Sequence, residues 1–247
     1  MNNPKNILIT GASSGIGESL AYYYAQEGVF LAISGRNKTR LDIVSEKLKT
    51  MGAKVEAKII DVADKSAMDR WIKNIDDLTP LDLVIANAGI GISKKRGLTI
   101  AEVAEEIFNV NVNGVFNTIH PALELMTARH QGQVGIVSSV AGIIGIPGFG
   151  AYSASKNAVR AYGEAIRVPF GKKGVEINVI CPGFVVSRIT NHNGFKMPFL
   201  MTSEKAAKII ANGLSKNKPR IAFPFPTYAT IRLLQILPIW LKDLILK

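Results

Sequence analysis

Cysteine is almost absent from this sequence: Cys181 is the only one in 247 residues. A lone thiol cannot form an intrachain disulfide, which argues against a disulfide-stabilised secreted domain and suits a reducing compartment. The N-terminus enters an apolar run within a few residues and shows no cleavage pattern, so we expect a cytoplasmic protein. The three histidines, His120, His130 and His192, have no metal-ligand spacing, and we expect no metal site.

Acidic residues are also scarce, with 19 Asp and Glu against 30 Lys and Arg, which gives a net charge of +11. Such a balance is compatible with nucleic acid, a membrane surface or an anionic ligand as the partner. The basic residues are scattered, apart from short clusters at 94–96 and 172–173, and no basic tract is interleaved with aromatic residues. We therefore expect no nucleic-acid partner, whereas an anionic cofactor or an anionic lipid stays compatible with the charge.

The sequence lacks low-complexity segments, internal repeats and any Ser/Pro/Gly-rich linker. A chain of this length can bury the core of one large α/β domain, so we assign residues 1–247 to a single domain. Short apolar runs alternate with helical patterns, which predicts a doubly wound, mostly parallel sheet with helices on both faces. The expected strands are 6–10, 29–34, 55–60, 81–86, 135–138 and 175–180, and the expected helices are 18–27, 38–51, 66–75, 99–110, 113–129 and 152–168.

A glycine-rich turn follows the first strand, with Gly11, Gly15 and Gly17 in the pattern Gly-x-x-x-Gly-x-Gly. Between a strand and a helix, such glycines let the backbone approach a pyrophosphate while the first helical N–H groups point at it. An acidic residue about 20 positions later would bind the ribose of NAD, but this sequence has Gly35 and then Arg36. A guanidinium suits a 2′-phosphate, so we predict a preference for NADP; the alternative is an exposed loop charge.

Tyr152 and Lys156 are four residues apart in a predicted helix, so they share one face. An ammonium beside a phenol lowers the pKa of the phenol, which would suit Tyr152 to general acid–base catalysis near neutral pH. Ser139 ends the preceding strand, and the glycines in between let the chain fold back so that its hydroxyl meets the phenol. A Tyr-x-x-x-Lys pair alone is more often a surface contact; the surrounding motifs favour the catalytic interpretation.

Together these motifs resemble the short-chain dehydrogenases/reductases, in their single-domain Rossmann-fold form, over residues 6 to about 222. The matching motifs occur in the family's order: Thr10-Gly11-x-x-x-Gly15-Ile16-Gly17, Asn87-Ala88-Gly89, Asn111, Ser139, Tyr152-x-x-x-Lys156 and Pro182-Gly183. The resemblance implies that Tyr152 protonates a substrate carbonyl oxygen, that Lys156 lowers the pKa of Tyr152 and holds the nicotinamide ribose, and that Ser139 hydrogen-bonds the substrate. It also implies that Asn111 anchors a water in the proton relay, with Asn109 and Asn113 as competing positions.

The same resemblance implies a cofactor site and a reaction. The implied cofactor-binding residues are Gly11, Ser13, Ser14, Gly15, Ile16, Gly17, Arg36, Asp61, Val62, Asn87, Ala88, Gly89, Tyr152, Lys156, Pro182, Gly183, Val185 and Ser187. The implied activity is NADP-dependent interconversion of a carbonyl and a secondary alcohol on a small or lipid-like substrate, carried out by a homodimer or homotetramer. The alternatives are a cofactor-binding scaffold without turnover, a membrane-associated interaction protein, and isomerase or dehydratase chemistry.

Two features depart from the family's pattern, Pro169 and the C-terminal tail, and a third segment is the variable part that the family uses to cover its substrate. Residues 184–202, the expected substrate cover, are rich in aromatic residues and methionine, which favours an apolar substrate, and His192 is a candidate contact. Pro169 is expected to kink or stop its helix. The tail, residues 223–247, is apolar, but charges and Pro238 keep it short of the ~20 apolar residues that a membrane span needs.

The tail has three candidate roles: it packs on another subunit, covers the active site, or lies on a membrane surface. On one continuous helix, a broad apolar face would comprise Ile231, Leu234, Leu237, Leu241, Leu244 and Ile245. The basic balance of the chain is compatible with the membrane role.

Overall fold

The computed structural model describes residues 3–91, 97–188, 190 and 197–246. Within them, seven parallel strands form one sheet in the order β3-β2-β1-β4-β5-β6-β7. The strands are β1 Asn6–Ile9, β2 Phe30–Gly35, β3 Lys54–Ile59, β4 Leu83–Ala86, β5 Gly132–Val137, β6 Val175–Pro182 and β7 Arg220–Phe223. The strand order reverses between β1 and β4, and in such sheets ligands bind in the crevice outside the carboxyl ends of the strands at this point.

Helices flank both faces of the sheet, which confirms the predicted doubly wound α/β fold. They are α1 Gly15–Tyr24, α2 Lys38–Thr50, α3 Lys65–Leu78, α4 Ile100–Phe108, α5 Gly114–Ala128, α6 Gly150–Gly171, α7 Ser203–Ser215, α8 Phe225–Ile236 and α9 Ile239–Ile245. A π-helical turn at Asn109–Asn113 joins α4 to α5, and a 3-10 turn at Val140–Gly142 lies between β5 and α6.

The strands read as continuous apolar runs because both of their faces are buried. In β1, Ile7 and Ile9 join the core layer beneath α1, α2 and α7, whereas Leu8 between them joins the layer beneath α3, α5 and α6. This alternation follows from the two-residue period of a strand. The core therefore holds the sheet rigidly, and the loops at its carboxyl edge stay available for a ligand.

The structure corrects the expected course of two helical segments. Pro169 does not stop α6, which runs on to Gly171, because the proline lies in the last turn, where Lys172 N–H bonds to the Val168 carbonyl. The two helices expected at 99–110 and 113–129 are not separated by a loop. Instead the π turn carries the chain from α4 into α5 without a break.

The end of the chain also differs from the expectation. The expected elements end at the sixth strand, whereas the structure adds α7 and the edge strand β7. The tail is not one helix: Leu237 and Pro238 take extended backbone angles and separate α8 from α9. Of the helices that the structure describes, none combines the length and the apolar content that crossing a membrane requires.

Candidate active site

Strand register brings the sequence motifs to one edge of the sheet. Ile9 pairs with Ile85, so Thr10 in the glycine loop lies beside the turn that follows β4. Val137 pairs with Ile180, so Ser139 after β5 lies beside Pro182 at the end of β6. All of these positions are at strand carboxyl ends, where ligands bind in this architecture.

The glycine loop is packed so closely that side chains would not fit. A Cβ added to Gly11, whose φ is +68°, would lie 2.7 Å from Cα of Ala88, and one added to Gly17 would lie 2.5 Å from both the Asn87 amide nitrogen and the Gly11 carbonyl oxygen. Glycine is therefore required here for the backbone to reach the turn after β4. The result is a bare backbone surface at the start of α1.

Asn87 ties the two loops together. Its Nδ2 donates to the carbonyl oxygens of Thr10 at 2.9 Å and of Gly11 at 3.2 Å, while Thr10 Oγ1 accepts from the backbone N–H groups of Asn87 and Ala88 at 3.1 and 3.2 Å. Gly89 follows, and a Cβ at that position would lie 3.1 Å from Lys156 Nζ. The turn after β4 thus connects the glycine loop to the Tyr152–Lys156 helix.

The first turn of α1 is free to bind an anion. Its N-cap residue Ser14 makes no side-chain hydrogen bond to the helix, so within the described residues the first N–H groups have no side-chain cap from this position. Ser13, Ser14, Gly15 and Ile16 are all partly accessible. With the bare glycine backbone beside it, this helix start fits the pyrophosphate of a dinucleotide.

Gly35 and Arg36 lie next to the glycine loop, at the end of β2. A Cβ at Gly35 would come within 3.0 Å of Cβ and Oγ of Ser13, so a larger residue would collide with the loop. Arg36 Nη1 lies 3.6 Å from the Asp61 carboxylate, and both side chains are about half exposed. The guanidinium is therefore at the surface, held by a weak ion pair that a stronger anion can replace.

The turn after β3 is fixed from beneath. Asp61 Oδ1 accepts from the Ala63 N–H at 3.0 Å, and Asn117 Nδ2 donates to the Val62 carbonyl at 2.9 Å. A Cβ on Gly114 would lie 2.5 Å from Val62 Cγ2, so α5 starts with a glycine where this turn crosses it. Asn117 was not among the residues expected at the site. The only sign of it in the sequence is that an asparagine follows Gly114 by one helical turn.

Tyr152 and Ser139 meet at the carboxyl edge. Tyr152 is half-buried in the first turn of α6, and the hydroxyl of Ser139 is close enough to its phenol to lower the pKa of Tyr152. Ser139 Oγ also lies 3.3 Å from the Pro182 carbonyl and accepts from the Ala141 N–H at 3.1 Å. The two hydroxyl groups are therefore positioned to face one substrate oxygen.

The pKa of Tyr152 moves opposite to the expectation. Burial raises it, because the phenolate is poorly solvated, and the hydrogen bond from Ser139 offsets this only in part. The ammonium of Lys156 donates to the Val137 carbonyl at 3.0 Å. In this arrangement Tyr152 is a phenol that keeps its proton, which suits a proton donor.

Lys156 is 3% exposed, and its burial lowers its pKa to about 8. An ammonium that leaves water loses solvation, and the nearby Cys181 opposes the shift only weakly. Two backbone contacts fix the lysine in α6. Ser138 Oγ donates to the Lys156 carbonyl at 2.6 Å, and the Val137 carbonyl accepts from Nζ.

The lowered pKa of Lys156 predicts a pH dependence of stability. Between pH 8 and about 10 the unfolded chain holds this proton and the folded chain does not, so stability rises with pH by at most ~1.4 kcal/mol per unit. Denaturant unfolding of Lys156→Met should lack this rise over the same window. From about pH 9 the raised pKa of Cys181, about 11, acts in the opposite sense, and above pH 10 the raised pKa of Tyr152 does too. The quantity compared is therefore the stability difference between Lys156→Met and the unaltered protein, followed up to pH 10.

The control for this experiment is Lys208→Met, which removes an exposed lysine of α7. The stability difference between Lys208→Met and the unaltered protein should be the same at pH 7 and pH 10. If Lys156→Met and Lys208→Met behave alike, Lys156 does not lose its proton in this window.

Asn111 is fully buried in the π turn. Its Oδ1 accepts from the Ile90 N–H at 2.8 Å, and its Nδ2 donates to the Ile90 carbonyl at 3.0 Å and to Ser155 Oγ at 3.1 Å. A π turn adds a residue to the helix and is frequent at functional sites. Asn109 and Asn113, the competing positions, bond to each other at an exposed site, so only Asn111 faces the Tyr152–Lys156 helix.

The residues after β6 border the same crevice. Gly183 N–H donates to the Phe223 carbonyl at 2.6 Å, and Val185 bridges to Met201. A Cβ on Gly15 would lie 3.1 Å from Ser187 Cβ, so this segment touches the start of α1.

Thr190 was not among the residues expected at this site. Its Oγ1 closes the turn by accepting from the Ser187 N–H at 2.8 Å. His192, the candidate substrate contact, lies outside the described residues.

Two further residues at the site went unnoticed in the sequence. Gly142 packs directly on α6: a Cβ there would lie 2.6 Å from the carbonyl carbon of Lys156. Arg160 Nε donates to the Gly142 carbonyl at 3.1 Å, and its Nη1 bonds to Glu164 at 2.8 Å. These contacts hold the turn that carries Ser139 against the helix that carries Tyr152.

The chain also matches known proteins over most of its length. A family model described as short chain dehydrogenase matches residues 5–197. An uncharacterized oxidoreductase of Myxococcus xanthus is 35% identical over 235 residues, which is 95% of this chain and 93% of that protein.

Two solved structures share the fold. A short-chain dehydrogenase from Sphingobium yanoikuyae in complex with NADPH has a TM-score of 0.81 at 22% identity, covering 95% of this chain and 96% of that one. A short chain dehydrogenase/reductase from Burkholderia phymatum in complex with NAD has a TM-score of 0.84 at 23% identity, covering 93% and 92%. Taken with the family match over most of its length, the chain belongs to the short-chain dehydrogenase/reductase family of nucleotide-binding oxidoreductases.

Proposed function

We propose that this protein is an NADP-dependent oxidoreductase that interconverts a carbonyl group and a secondary alcohol. The observation that carries the proposal is the convergence of Ser139, Tyr152 and the buried Lys156 beside a bare glycine loop at the β1/β4 edge. Bound NADPH would supply the hydride. Gly11, Gly15 and Gly17 would hold its pyrophosphate, with the free first turn of α1.

The protein's own groups would handle the proton and the developing negative charge. Tyr152, which keeps its proton because of burial, donates it to the substrate oxygen, and the hydroxyl of Ser139 donates a hydrogen bond to the same oxygen. Lys156 stays largely protonated at pH 7, since its pKa is about 8, and its charge favours the oxyanion. Asn111 is assigned to hold the relay water with the remaining lone pair of Oδ1.

The preference for NADP over NAD is assigned to Arg36. Gly35 leaves no carboxylate at the end of β2 to bind a ribose, and the guanidinium of Arg36, the next residue, is half exposed and paired with Asp61 only at 3.6 Å. A 2′-phosphate would offer it a stronger, doubly charged partner than Asp61 does. Asp61 then stays bonded to the Ala63 N–H.

The proposal is tested with a panel of aldehydes and ketones, following loss of reduced-cofactor absorbance with NADPH and with NADH. We expect turnover with NADPH on at least one carbonyl substrate and weaker turnover with NADH. Absence of turnover across the panel, in a protein that binds NADPH, would favour the idle scaffold. We also expect a homodimer or homotetramer in the cytoplasm, which sedimentation and fractionation would check.

Arg36→Asp should reverse the cofactor preference. The substitution replaces a cation with a carboxylate beside Asp61, so the Kd for NADPH should rise by about 10- to 100-fold while that for NADH changes little. Arg70→Asp, on the exposed face of α3, makes the same change in net charge away from the crevice and serves as the control. Equal NADPH affinity in the two variants would refute the role of Arg36.

A further inference from the structure

The C-terminal tail packs by one side only. Tyr228, Ile231, Leu234 and Leu246 contact a small core cluster that includes Val140 and Ile143 of the Ser139 turn. Arg220 Nη1 donates to the Tyr228 hydroxyl at 3.0 Å, which anchors the first turn of α8 to β7. The inner side of the tail is thereby accounted for.

The outer side of the tail is apolar and exposed. We call it the tail patch: it comprises Phe225, Leu233, Ile236, Ile239, Trp240, Leu244 and Ile245. Each of these side chains is more than half exposed, from 53% for Ile245 to 77% for Phe225. No contact within the described chain covers them, and a group of exposed apolar side chains this close together in the chain is typical of an interaction site.

The charges of α8 and α9 favour an anionic partner. Arg232 is exposed and bonds to the neutral Gln235 at 2.7 Å, and Lys242 is partly exposed. Among the described residues, neither cation forms an ion pair, and Asp243 is the only acid between 225 and 247. The whole chain carries +11. A second copy would bring the same unneutralised cations to the contact, whereas an anionic lipid surface would neutralise them.

The composition of the patch suits the boundary of a bilayer. Trp240 lies in the α9 stretch together with Lys242, and a tryptophan beside a cation is typical of segments that lie at the headgroup level. The helices have 12 and 7 residues and turn at Pro238, so both can rest in one plane along a surface. Adsorption buries the apolar side chains while the cations contact lipid phosphates.

We propose that the tail patch docks this protein on an anionic membrane surface. Docking would leave the inner side of the tail on the Ser139 turn, and the beginning of α8 beside Gly183, where a Cβ would lie 2.9 Å from Pro224. The protein would therefore meet the membrane with the side of the molecule that adjoins the candidate active site. The proposal stands independently of the reductase activity.

The test is co-sedimentation of the full-length protein with vesicles of phosphatidylglycerol and phosphatidylcholine, compared with phosphatidylcholine alone. We expect binding to the anionic vesicles at least tenfold stronger than to the neutral ones, and weaker at high salt. Trp240 is 69% exposed and Trp71 is 4% exposed, so a blue shift of tryptophan emission on binding would report insertion of Trp240.

Two pairs of variants separate docking through the tail patch from non-specific adsorption of the protein to vesicles. Ile236→Glu in the patch should weaken binding at least tenfold, whereas Ile43→Glu, a similarly exposed isoleucine of α2, should not. Arg232→Gln with Lys242→Gln should weaken binding about tenfold, whereas Lys205→Gln with Lys208→Gln on α7, which removes the same charge, should change it less than twofold.

Three results would overturn the proposal. One is absence of binding to anionic vesicles by the unaltered protein. Another is an equal loss of vesicle binding in the patch variants and in their controls, which would indicate that the overall charge of the protein alone causes the binding. The third is an oligomer that dissociates in Ile236→Glu, measured by light scattering, with no vesicle binding, which would assign the patch to a second copy of this chain. NADPH binding by each variant, followed by fluorescence, serves as a separate check that the fold is intact. It does not depend on whether the variant binds vesicles.

Discussion

Tyr152→Phe should lower kcat for carbonyl reduction by about 10³-fold while NADPH still binds. The substitution removes one oxygen, and with it the proposed proton donor and one of the two hydroxyl groups that we propose to bind the substrate oxygen. The ring that fills the site is retained, so stability should change little. The pKa of Tyr152 is raised by burial, so the reduction rate should not fall near pH 10 through ionisation of this phenol.

The matched control is Tyr162→Phe, ten residues further along α6. The hydroxyl of Tyr162 lies 2.9 Å from His120 Nε2, on another face of the helix. Its loss should leave kcat within about twofold. If Tyr152→Phe keeps more than a tenth of the activity, the proton comes from elsewhere, and the assignment of Tyr152 fails even though the fold stands.

Gly142→Ala should be the most damaging conservative change outside the catalytic set. The new methyl group would lie 2.6 Å from the carbonyl carbon and 2.8 Å from the carbonyl oxygen of Lys156. Both are backbone atoms of a long helix and cannot move cheaply, so the Ser139 turn must shift instead. We expect a loss of about 1–3 kcal/mol of stability from overpacking and a fall in kcat of about 100-fold from misplacement of Ser139.

Gly145→Ala provides the comparison within the same loop. A Cβ at Gly145 meets no atom within 4 Å and its φ is not in the left-handed region, so neither stability nor kcat should change appreciably. Thermal unfolding and steady-state kinetics on the two variants measure both effects. Similar behaviour of the two proteins would show that the loop adapts and that close packing of the turn on α6 is not needed for catalysis.

The Ser139 turn is held from two sides, so we expect its position to be sensitive to substitution. Gly142 contacts α6 directly, and its carbonyl accepts from Arg160. Arg160 in turn bonds to Glu164, which pairs with Arg220 next to Tyr228 of the tail. The Ser139 turn, α6, β7 and the tail are therefore linked by one chain of hydrogen bonds and ion pairs.

Six of the seven strands could be predicted because the pattern that specifies each of them lies within a few neighbouring residues. A buried strand needs a short apolar run, and a phosphate-binding turn needs glycines at fixed positions, so both can be read from neighbouring residues. The seventh strand, Arg220–Phe223, has only four residues at the edge of the sheet. Its pairing with β6 depends on residues about 40 positions away, and no local pattern reveals it.

The sequence by itself determined the order of the first six strands and of the helices between them, the glycine loop and the four-residue spacing of Tyr152 and Lys156, because periodicity and spacing are properties of nearby residues. Only the tertiary structure decided that Ser139 lies beside Pro182, that Asn111 rather than its neighbours faces α6, and that one side of the tail is left bare. It also reversed the expected pKa shift of Tyr152. Register, burial and the dielectric environment of a side chain depend on segments that are distant in sequence, so they exist only once the chain has folded.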